Sequence, residues 1–264
     1  MRFAQETGFR IGTFLSQEAL LLIHDEIAEP RTYFGLMEAL GSNLRTPAEL
    51  AKAAGVAINH VGKYLRTLVD LRLVSRVLSG EASDRARTRL TRYEIRDPFF
   101  RFYFQFLYPN WPLLQQGRVE RMREIVGEGF ESYVGRTAYE ELARRRIARL
   151  GDAGELPFRP DYVGRAWSRA AELDVVAVNW HDRTVLFGEC KWRREKMSGD
   201  DLRSLRERAG RFPGFAGFKH HWALFSRSGF TAALLQAPER SAGLLLFQDG
   251  DLASVPDGHA RETA

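Results

Sequence analysis

The segment Glu172-Leu-Asp-Val-Val-Ala-Val-Asn-Trp-His-Asp-Arg-Thr-Val-Leu-Phe-Gly-Glu-Cys-Lys191 places two apolar, β-branched runs on either side of a polar centre. Such runs around the polar tip 179–183 are the pattern of a β-hairpin with a loop of about five residues. Asp174 then lies on one strand and Glu189 on its neighbour. Because side chains alternate along a strand, Glu189 and Lys191 project to the same face. The sequence therefore predicts two carboxylates and a lysine at one end of a sheet.

These three residues suit a divalent-metal site. Mg²⁺ prefers oxygen ligands and is usually held by one or two carboxylates together with substrate phosphates. Asp174 and Glu189 supply the carboxylates, and the Lys191 ammonium could position a metal-bound water or stabilise charge developing on a phosphate. Glu172, on the same strand as Asp174, is a secondary candidate. The alternative is an ordinary hairpin whose charged side chains form a solvated salt-bridge cluster.

The pairing of Asp174 with Glu189-Cys190-Lys191 resembles the core of the PD-(D/E)XK nuclease superfamily. That resemblance implies a restriction-endonuclease-like fold, a bound Mg²⁺ or Mn²⁺, and phosphodiester hydrolysis with Asp174, Glu189 and Lys191 as catalytic residues. Asp174 and Glu189 would also ligate the metal. In that superfamily the first core helix often contributes a glutamate near the metal, and Glu131 matches that position; the alternative is a glutamate on an ordinary helix.

A wider pattern runs from about residue 14 to about residue 250. Its parts are the segments 93–110, 129–131, 163–167, 172–174, 187–192 and 228–231. Together they are similar to the C-terminal region of archaeal-type ATPases, which is domain-of-unknown-function family 234. In those proteins a winged helix and a nuclease-like domain follow an ATPase module.

This chain departs from those relatives because it contains no G-x-x-x-x-G-K-[ST] phosphate loop. Its Gly62-Lys63 pair is followed by Tyr64 within a helical pattern. We therefore expect no ATP site in this chain. We also expect a stand-alone, or truncated, C-terminal half; the noncatalytic alternative would work with a separately encoded ATPase.

The region 31–96 has the pattern of a winged helix-turn-helix. Thr46-Pro-Ala-Glu49 is a capping box that opens a short helix, Gly55 makes the turn, and Asn59 is expected to cap a third helix. That helix turns its apolar residues inward and presents a candidate nucleic-acid-binding face outward, formed by His60, Lys63 and Arg66.

Two strand-like segments, 73–78 and 92–95, enclose the polar tract 79–89. They predict a basic wing whose arginines enter a neighbouring groove of DNA: Arg85, Arg87 and Arg89. Winged helices serve DNA binding and protein docking alike, so both roles stay open at this point.

The predicted fold class is α/β within the nuclease-like part and α+β overall. We expect a lead-in helix over 1–30, the winged helix-turn-helix over 31–96, an aromatic connector over 97–117, a nuclease-like domain with a mixed central sheet flanked by helices over 118–255, and a flexible tail over 256–264.

Composition suits a cytoplasmic protein that binds a polyanion. The chain has 264 residues, 44% of them hydrophobic, and a net charge of +5. Its isoelectric point of about 9.5 favours DNA as a partner, although a basic surface also serves solubility alone. A single cysteine excludes an internal disulfide framework, and no apolar run approaches the roughly 20 residues of a membrane span.

The sequence leaves open the form of the nucleic acid, the oligomeric state and whether the protein is catalytic. Arginine attracts RNA and every form of DNA, so the substrate's form stays open. Cutting both strands with one site per chain would favour a homodimer. The alternative to a nuclease is a noncatalytic DNA-binding or protein-docking module.

Overall fold

A computed structural model describes residues 30–81, 91–237 and 243–249. It shows a mixed α and β protein that divides into two compact units. One unit is Met1–Leu78 with Thr91–Phe130, and the other is Ser79–Leu90 with Glu131–Ala264. The predicted lead-in helix, apart from Pro30, and the predicted tail lie outside the described residues. So do the wing arginines Arg85, Arg87 and Arg89.

From Pro30 onward, the described part of the first unit has three helices followed by a two-stranded antiparallel ribbon. They are α1 Pro30–Gly41, α2 Pro47–Ala53, α3 Ile58–Asp70, β1 Val74–Leu78 and β2 Thr91–Ile95. The predicted capping box opens α2: the Glu49 amide donates to Thr46 Oγ1, and the Thr46 amide donates to the Glu49 carboxylate at 2.8 Å. Gly55 makes the turn after α2 with a positive φ of 65°, which glycine adopts without strain.

The third helix, α3, differs from its prediction at its first residue. We expected Asn59 to cap it, but the N-cap is Ala57, whose side chain makes no capping hydrogen bond. The helix starts early enough to place Asn59 inside the first turn, where a side chain no longer has the N-cap position. The predicted inward face is confirmed, because Val61, Leu65 and Leu68 are buried.

An aromatic segment follows β2 and forms much of the first unit's core. Its elements are α4 Pro98–Phe102, a π-helical turn Tyr103–Leu107, a 3₁₀ turn Tyr108–Asn110 and α5 Trp111–Gln115. Tyr103 and Phe104 are fully buried. Burial of Tyr103 raises the pKa of its phenol to about 12, so that side chain stays neutral.

The sequence pattern predicts two helices, over 119–134 and 137–150, but residues 119–152 are helical throughout. The helix α6 Val119–Val134 continues through a π-helical turn, Gly135–Tyr139, into α7 Glu140–Asp152. A π turn keeps the chain helical while shifting which side chains face the core. Gly135 lies between the two predicted helices, and the π-helical turn that begins at this residue keeps the chain helical.

The second unit contains a five-stranded mixed sheet in the order β3-β4-β5-β6-β7. The strands are β3 Tyr162–Trp167, β4 Glu172–Asn179, β5 Thr184–Lys191, β6 Lys219–Ser226 and β7 Leu244–Gln248. The predicted hairpin is β4–β5, and β3 extends it as a third antiparallel strand. The strands β6 and β7 then add in parallel to β5. The helix α8 Gly199–Ala209 connects β5 to β6, and α9 Ala232–Leu235 precedes β7.

Both faces of this sheet are buried under helices. One apolar cluster joins Val176, Phe187 and Leu224 to Leu202 and Leu205 of α8. Burial on both sides explains why the strands read as continuous apolar runs rather than as an alternating pattern.

The opposite face packs on α7. Its cluster joins Val175, Leu186 and Phe225 to Ala143 and Ile147 of that helix. Within the described ranges, no helix combines the length and the hydropathy needed to cross a bilayer.

Gly188 lies at a close approach between neighbouring strands on the α7 face of the sheet. A Cβ at this position would lie 2.8 Å from Val175 Cβ and 3.1 Å from Phe225 Cε2. We expect Gly188→Ala to lower the free energy of unfolding by about 1–3 kcal/mol through overpacking, as measured by urea unfolding with tryptophan fluorescence. The matched control is Gly199→Ala, whose Cβ meets nothing within 4 Å, and it should change stability by less than about 0.5 kcal/mol. Equal stability of the two variants would contradict this account of the packing.

Candidate functional site

A β-bulge falls on the strand residue that the sequence singled out. The register between β3 and β4 shifts between Gly164 and Ala166. One β3 residue, Arg165, therefore lies opposite two β4 residues, Asp174 and Val175. A bulge bends the strand that carries the extra residue and redirects its side chains, and such features are frequent beside active sites.

The Asp174 carboxylate occupies the space between the ends of β4 and β5. The paired stretch of these two strands ends at Val175 and Gly188. Beyond it, the Cys190 amide donates to Asp174 Oδ2 at 2.9 Å, so the side chain of Asp174 bonds the backbone of β5. This bond places Asp174 beside the segment that runs from Glu189 to Lys191.

Glu189 is buried on the α8 side of the sheet, and its carboxylate forms ion pairs with two basic side chains. Its side chain is 3% exposed. Lys191 Nζ lies 2.5 Å from Oε1, and Arg208 Nη2 of α8 lies 2.5 Å from Oε2. A buried carboxylate is costly unless it is paired, and here both oxygens have a basic partner.

A second acidic residue approaches Asp174 from the α7 side. Glu140 Oε2 accepts from Arg144 Nη1 at 3.3 Å, and Arg165 Nη2 lies 3.9 Å from the same oxygen. Arg144 also donates to the carbonyl oxygen of Asp174 at 2.9 Å, which ties α7 to β4.

Glu140 was not among the site residues predicted from the sequence. A signal was present, because Glu140 and Arg144 share the helical stripe of the buried residues Ala143 and Ile147. Charged residues within the sheet-facing stripe of a helix need a buried partner, and that requirement points to a site.

These carboxylates interact electrostatically. Burial raises the pKa of Asp174 well above its usual range, and repulsion from Glu189 and Glu140 raises it further. The Cys190 amide and Lys191 act in the opposite direction by favouring the ionised form. Burial also raises the pKa of the Cys190 thiol, with Asp174 adding to the effect, so Cys190 packs as a neutral side chain.

The two remaining acidic candidates lie at the borders of this cluster. Glu131 is exposed, and its Oε1 accepts from Arg227 Nη1 at 3.0 Å. Arg227 adjoins the end of β5, because its amide donates to the carbonyl oxygen of Lys191 at 3.1 Å. Glu172 is exposed at the start of β4, and its carbonyl oxygen accepts from Arg208 Nη1 at 3.1 Å.

Asp174 and Glu189 could hold a Mg²⁺ ion of the kind that is shared with a phosphate. Such ions need one or two protein carboxylates, and Asp174 and Glu189 provide two on neighbouring strands. Across the described ranges, no group of three or more His, Cys, Asp or Glu side chains is close enough to form an all-protein metal cage. Mutual repulsion among the carboxylates is the kind of strain that a divalent cation relieves.

The candidate nucleic-acid-binding residues of the first unit lie on one helix. His60, Lys63 and Arg66 of α3 are exposed, while the opposite side of the helix is buried. Lys63 Nζ lies 5.8 Å from the centre of the Tyr64 ring. The structure thus presents these three side chains to solvent on the outer face of α3.

Comparison with known proteins supports the family resemblance and leaves the function open. Residues 103–204 match the DUF234 family, described as "Archaea bacterial proteins of unknown function". An uncharacterized protein of Methanocaldococcus jannaschii is 27% identical over 221 residues, which are 83% of this chain and 49% of that protein. The chain therefore spans about half the length of this relative. No solved structure matches the chain.

The raised pKa of Asp174 predicts how stability depends on pH. A folded-state pKa above the unfolded value of about 4 means that the folded protein binds this proton more tightly. Ionising Asp174 therefore lowers stability as pH rises from about 4 through the raised pKa. Asp174→Asn cannot ionise and keeps an acceptor for the Cys190 amide. In metal-free buffer it should raise Tm at neutral and alkaline pH, with an advantage that shrinks toward pH 4.

A second variant separates repulsion from burial. Glu140→Gln removes one repelling carboxylate and leaves Asp174 ionisable, so the pH dependence of Tm should persist in a weaker form. A difference in Tm between the wild type and Asp174→Asn that stays constant across this pH range would contradict the assignment.

Proposed function

We propose that this chain is a DNA-binding protein with a Mg²⁺-dependent phosphodiesterase site in its second unit. The observation that carries the proposal is the hydrogen bond from the Cys190 amide to Asp174 Oδ2. It fixes the Asp174 carboxylate at the backbone of the β5 segment that carries Glu189 and Lys191, and the PD-(D/E)XK resemblance assigns the site to these three residues. Mn²⁺ is expected to substitute for Mg²⁺, since both take carboxylate oxygens.

The two units have the elements of the proposed folds. In the first, three helices precede a two-stranded ribbon, as in a winged helix. In the second, a helix precedes three antiparallel strands, and a further helix leads to a parallel strand, as in the nuclease resemblance. These matches in element order support the assignment of a winged helix and a PD-(D/E)XK domain.

The residues have separate tasks in phosphodiester hydrolysis. A bound Mg²⁺ would polarise a phosphate oxygen and lower the pKa of a nearby water. Asp174 and Glu189 would hold the ion through their carboxylate oxygens. Lys191, whose ammonium group already lies 2.5 Å from Glu189 Oε1, positions the attacking water and stabilises the charge that develops on the phosphate. Glu140 adds negative potential from α7 and thereby favours cation binding.

The first unit would make most of the contacts that bind DNA. A helix that projects three polar side chains from an exposed face can enter the major groove, with lysine and arginine on phosphates. Phosphate contacts of this kind fix the position of a protein without reading sequence. We therefore assign His60, Lys63 and Arg66 to DNA binding that does not depend on base sequence.

One observation favours a second function, a noncatalytic DNA-binding or protein-docking module that works with a separate ATPase. Both oxygens of Glu189 already pair with basic side chains, so its charge is compensated within the protein. An ion-pair network of that kind can serve only to fix the end of the sheet.

Cleavage distinguishes the two functions. Supercoiled plasmid, labelled branched DNA and a labelled RNA are incubated with Mg²⁺ or Mn²⁺ and the wild type, Asp174→Asn or Lys191→Met. We expect the wild type to cut DNA, and each variant to lose at least about 100-fold of that rate, because each removes a group that acts in the transition state.

The matched control for the lysine variant is Lys219→Met. Lys219 is exposed at the opposite end of the same parallel strand pair, next to Thr184 rather than beside Lys191. It should cut DNA like the wild type. DNA binding without cleavage by any of these proteins would instead support the docking module.

The attachment role of α3 has its own test. Each of Lys63→Ala and Arg66→Ala should reduce the slope of log K against log salt concentration by about 1 and weaken binding to unrelated duplexes equally. Arg31→Ala, at an exposed arginine of α1, is the control and should leave the slope unchanged. Fluorescence anisotropy over a series of KCl concentrations measures all three, and an unchanged slope in both α3 variants would remove α3 from the interface.

A further inference from the structure

Arg208 of α8 is held at the candidate site by three acceptors. Its Nε donates to the carbonyl oxygen of Ser204 at 3.4 Å, and its Nη1 donates to the carbonyl oxygen of Glu172 at 3.1 Å. Its Nη2 donates to Glu189 Oε2 at 2.5 Å. The guanidinium group thus connects α8 to both strands of the hairpin.

Two of these acceptors differ in kind from the third. The carbonyl oxygens of Ser204 and Glu172 belong to the backbone of folded elements, so they hold the guanidinium group whatever the state of the site. The carboxylate of Glu189 is a side chain that the proposed function assigns to a cation. The bond from Arg208 to Glu189 would therefore weaken when Glu189 binds a cation, whereas the two bonds to backbone carbonyl oxygens would remain.

The position of Arg208 also suits contact with a ligand from solvent. Its side chain is 25% exposed, whereas that of Glu189 is 3% exposed. A cation bound to Glu189 shares the negative charge of the carboxylate and repels the arginine, so the bond from Nη2 weakens. The Nη2 donor of Arg208 is then available to a ligand. The planar guanidinium group can donate two parallel hydrogen bonds to the oxygens of a phosphate group, which a lysine ammonium group cannot do with the same geometry.

We propose that Arg208 is a phosphate-binding residue of this site, which pairs with Glu189 in the metal-free protein and with a backbone phosphate of DNA once Glu189 is engaged. This inference rests on the proposed function and adds a residue to it. Lys191 then acts at the reacting phosphate, while Arg208 fixes the phosphodiester backbone from the α8 side.

Another arginine of α8 provides a matched control. Arg203 is 71% exposed and pairs with Asp200, on the same helix but without a bond to Glu189. Replacing it removes the same charge from the same helix. Arg203→Gln should therefore have equal effects with and without a divalent cation.

The test measures binding of a DNA duplex by fluorescence anisotropy over a series of KCl concentrations, in Ca²⁺ and in EDTA. Ca²⁺ is used because it takes the same oxygen ligands. We expect a steeper salt dependence for the wild type in Ca²⁺ than in EDTA. Arg208→Gln should lower the slope by about 0.9 in Ca²⁺ alone, the loss of one phosphate contact, because in EDTA the arginine is already paired.

Arg208→Lys keeps a positive charge and guards against a variant that fails to fold. It should retain the slope in Ca²⁺ and bind DNA more weakly, since an ammonium lacks the fork. Thermal melts followed by circular dichroism check that each variant is folded before its binding is compared.

Failure of this inference is distinct from failure of the proposed function. If the wild type cuts DNA with Mg²⁺ and Arg208→Gln lowers the slope equally in both buffers or in neither, Arg208 has no metal-dependent phosphate contact and the inference is wrong. If the wild type neither cuts DNA nor binds it differently in Ca²⁺, the proposed function fails and the inference fails with it.

Discussion

The buried carboxylate of Glu189 determines which side chains must gather at the end of β5 in the second unit. A charge at the end of an apolar sheet is stable only with partners at hydrogen-bond distance. Lys191 on the same strand and Arg208 on α8 provide them. Removing one partner of such a group typically costs about 3–5 kcal/mol, because the remaining charge is left buried and unpaired.

The Asp174 carboxylate is also buried, but fewer contacts stabilise its charge. A β-bulge directs its side chain between two strand ends, where it accepts a backbone amide and lies near two other carboxylates. In its ionised form it is held against burial and repulsion. Proteins tolerate a local conflict of this kind mainly where the residue has a task, and that is why the cluster supports a functional reading.

The sequence predicted the features that depend on neighbouring residues. The β-branched runs around a polar tip predicted the β4–β5 hairpin. The alternation of side chains along β5 predicted Glu189 and Lys191 on one face, where the structure shows them paired. The capping box at Thr46 followed from a four-residue pattern. Each of these features is encoded within one strand, one turn or one helix end.

Features that depend on distant contacts could not be predicted in the same way. The bulge arises from how β3 pairs with β4, and Glu140 and Arg208 reach the cluster only because α7 and α8 pack on opposite faces of the sheet. Asn59 shows the reverse case, a local pattern that failed because the helix begins earlier. Contacts between side chains that are distant in sequence produce only weak patterns in the sequence. Here the pattern was a charged residue, Glu140, in the buried stripe of a helix.

Calorimetric titration with Mn²⁺ shows whether Asp174 and Glu189 together hold a divalent cation. We expect the wild type to bind one Mn²⁺ per chain, and both Asp174→Asn and Glu189→Gln to abolish this binding while remaining folded. Binding that survives in both variants, or a folded wild type that binds no Mn²⁺, would show that these two carboxylates do not form a metal site.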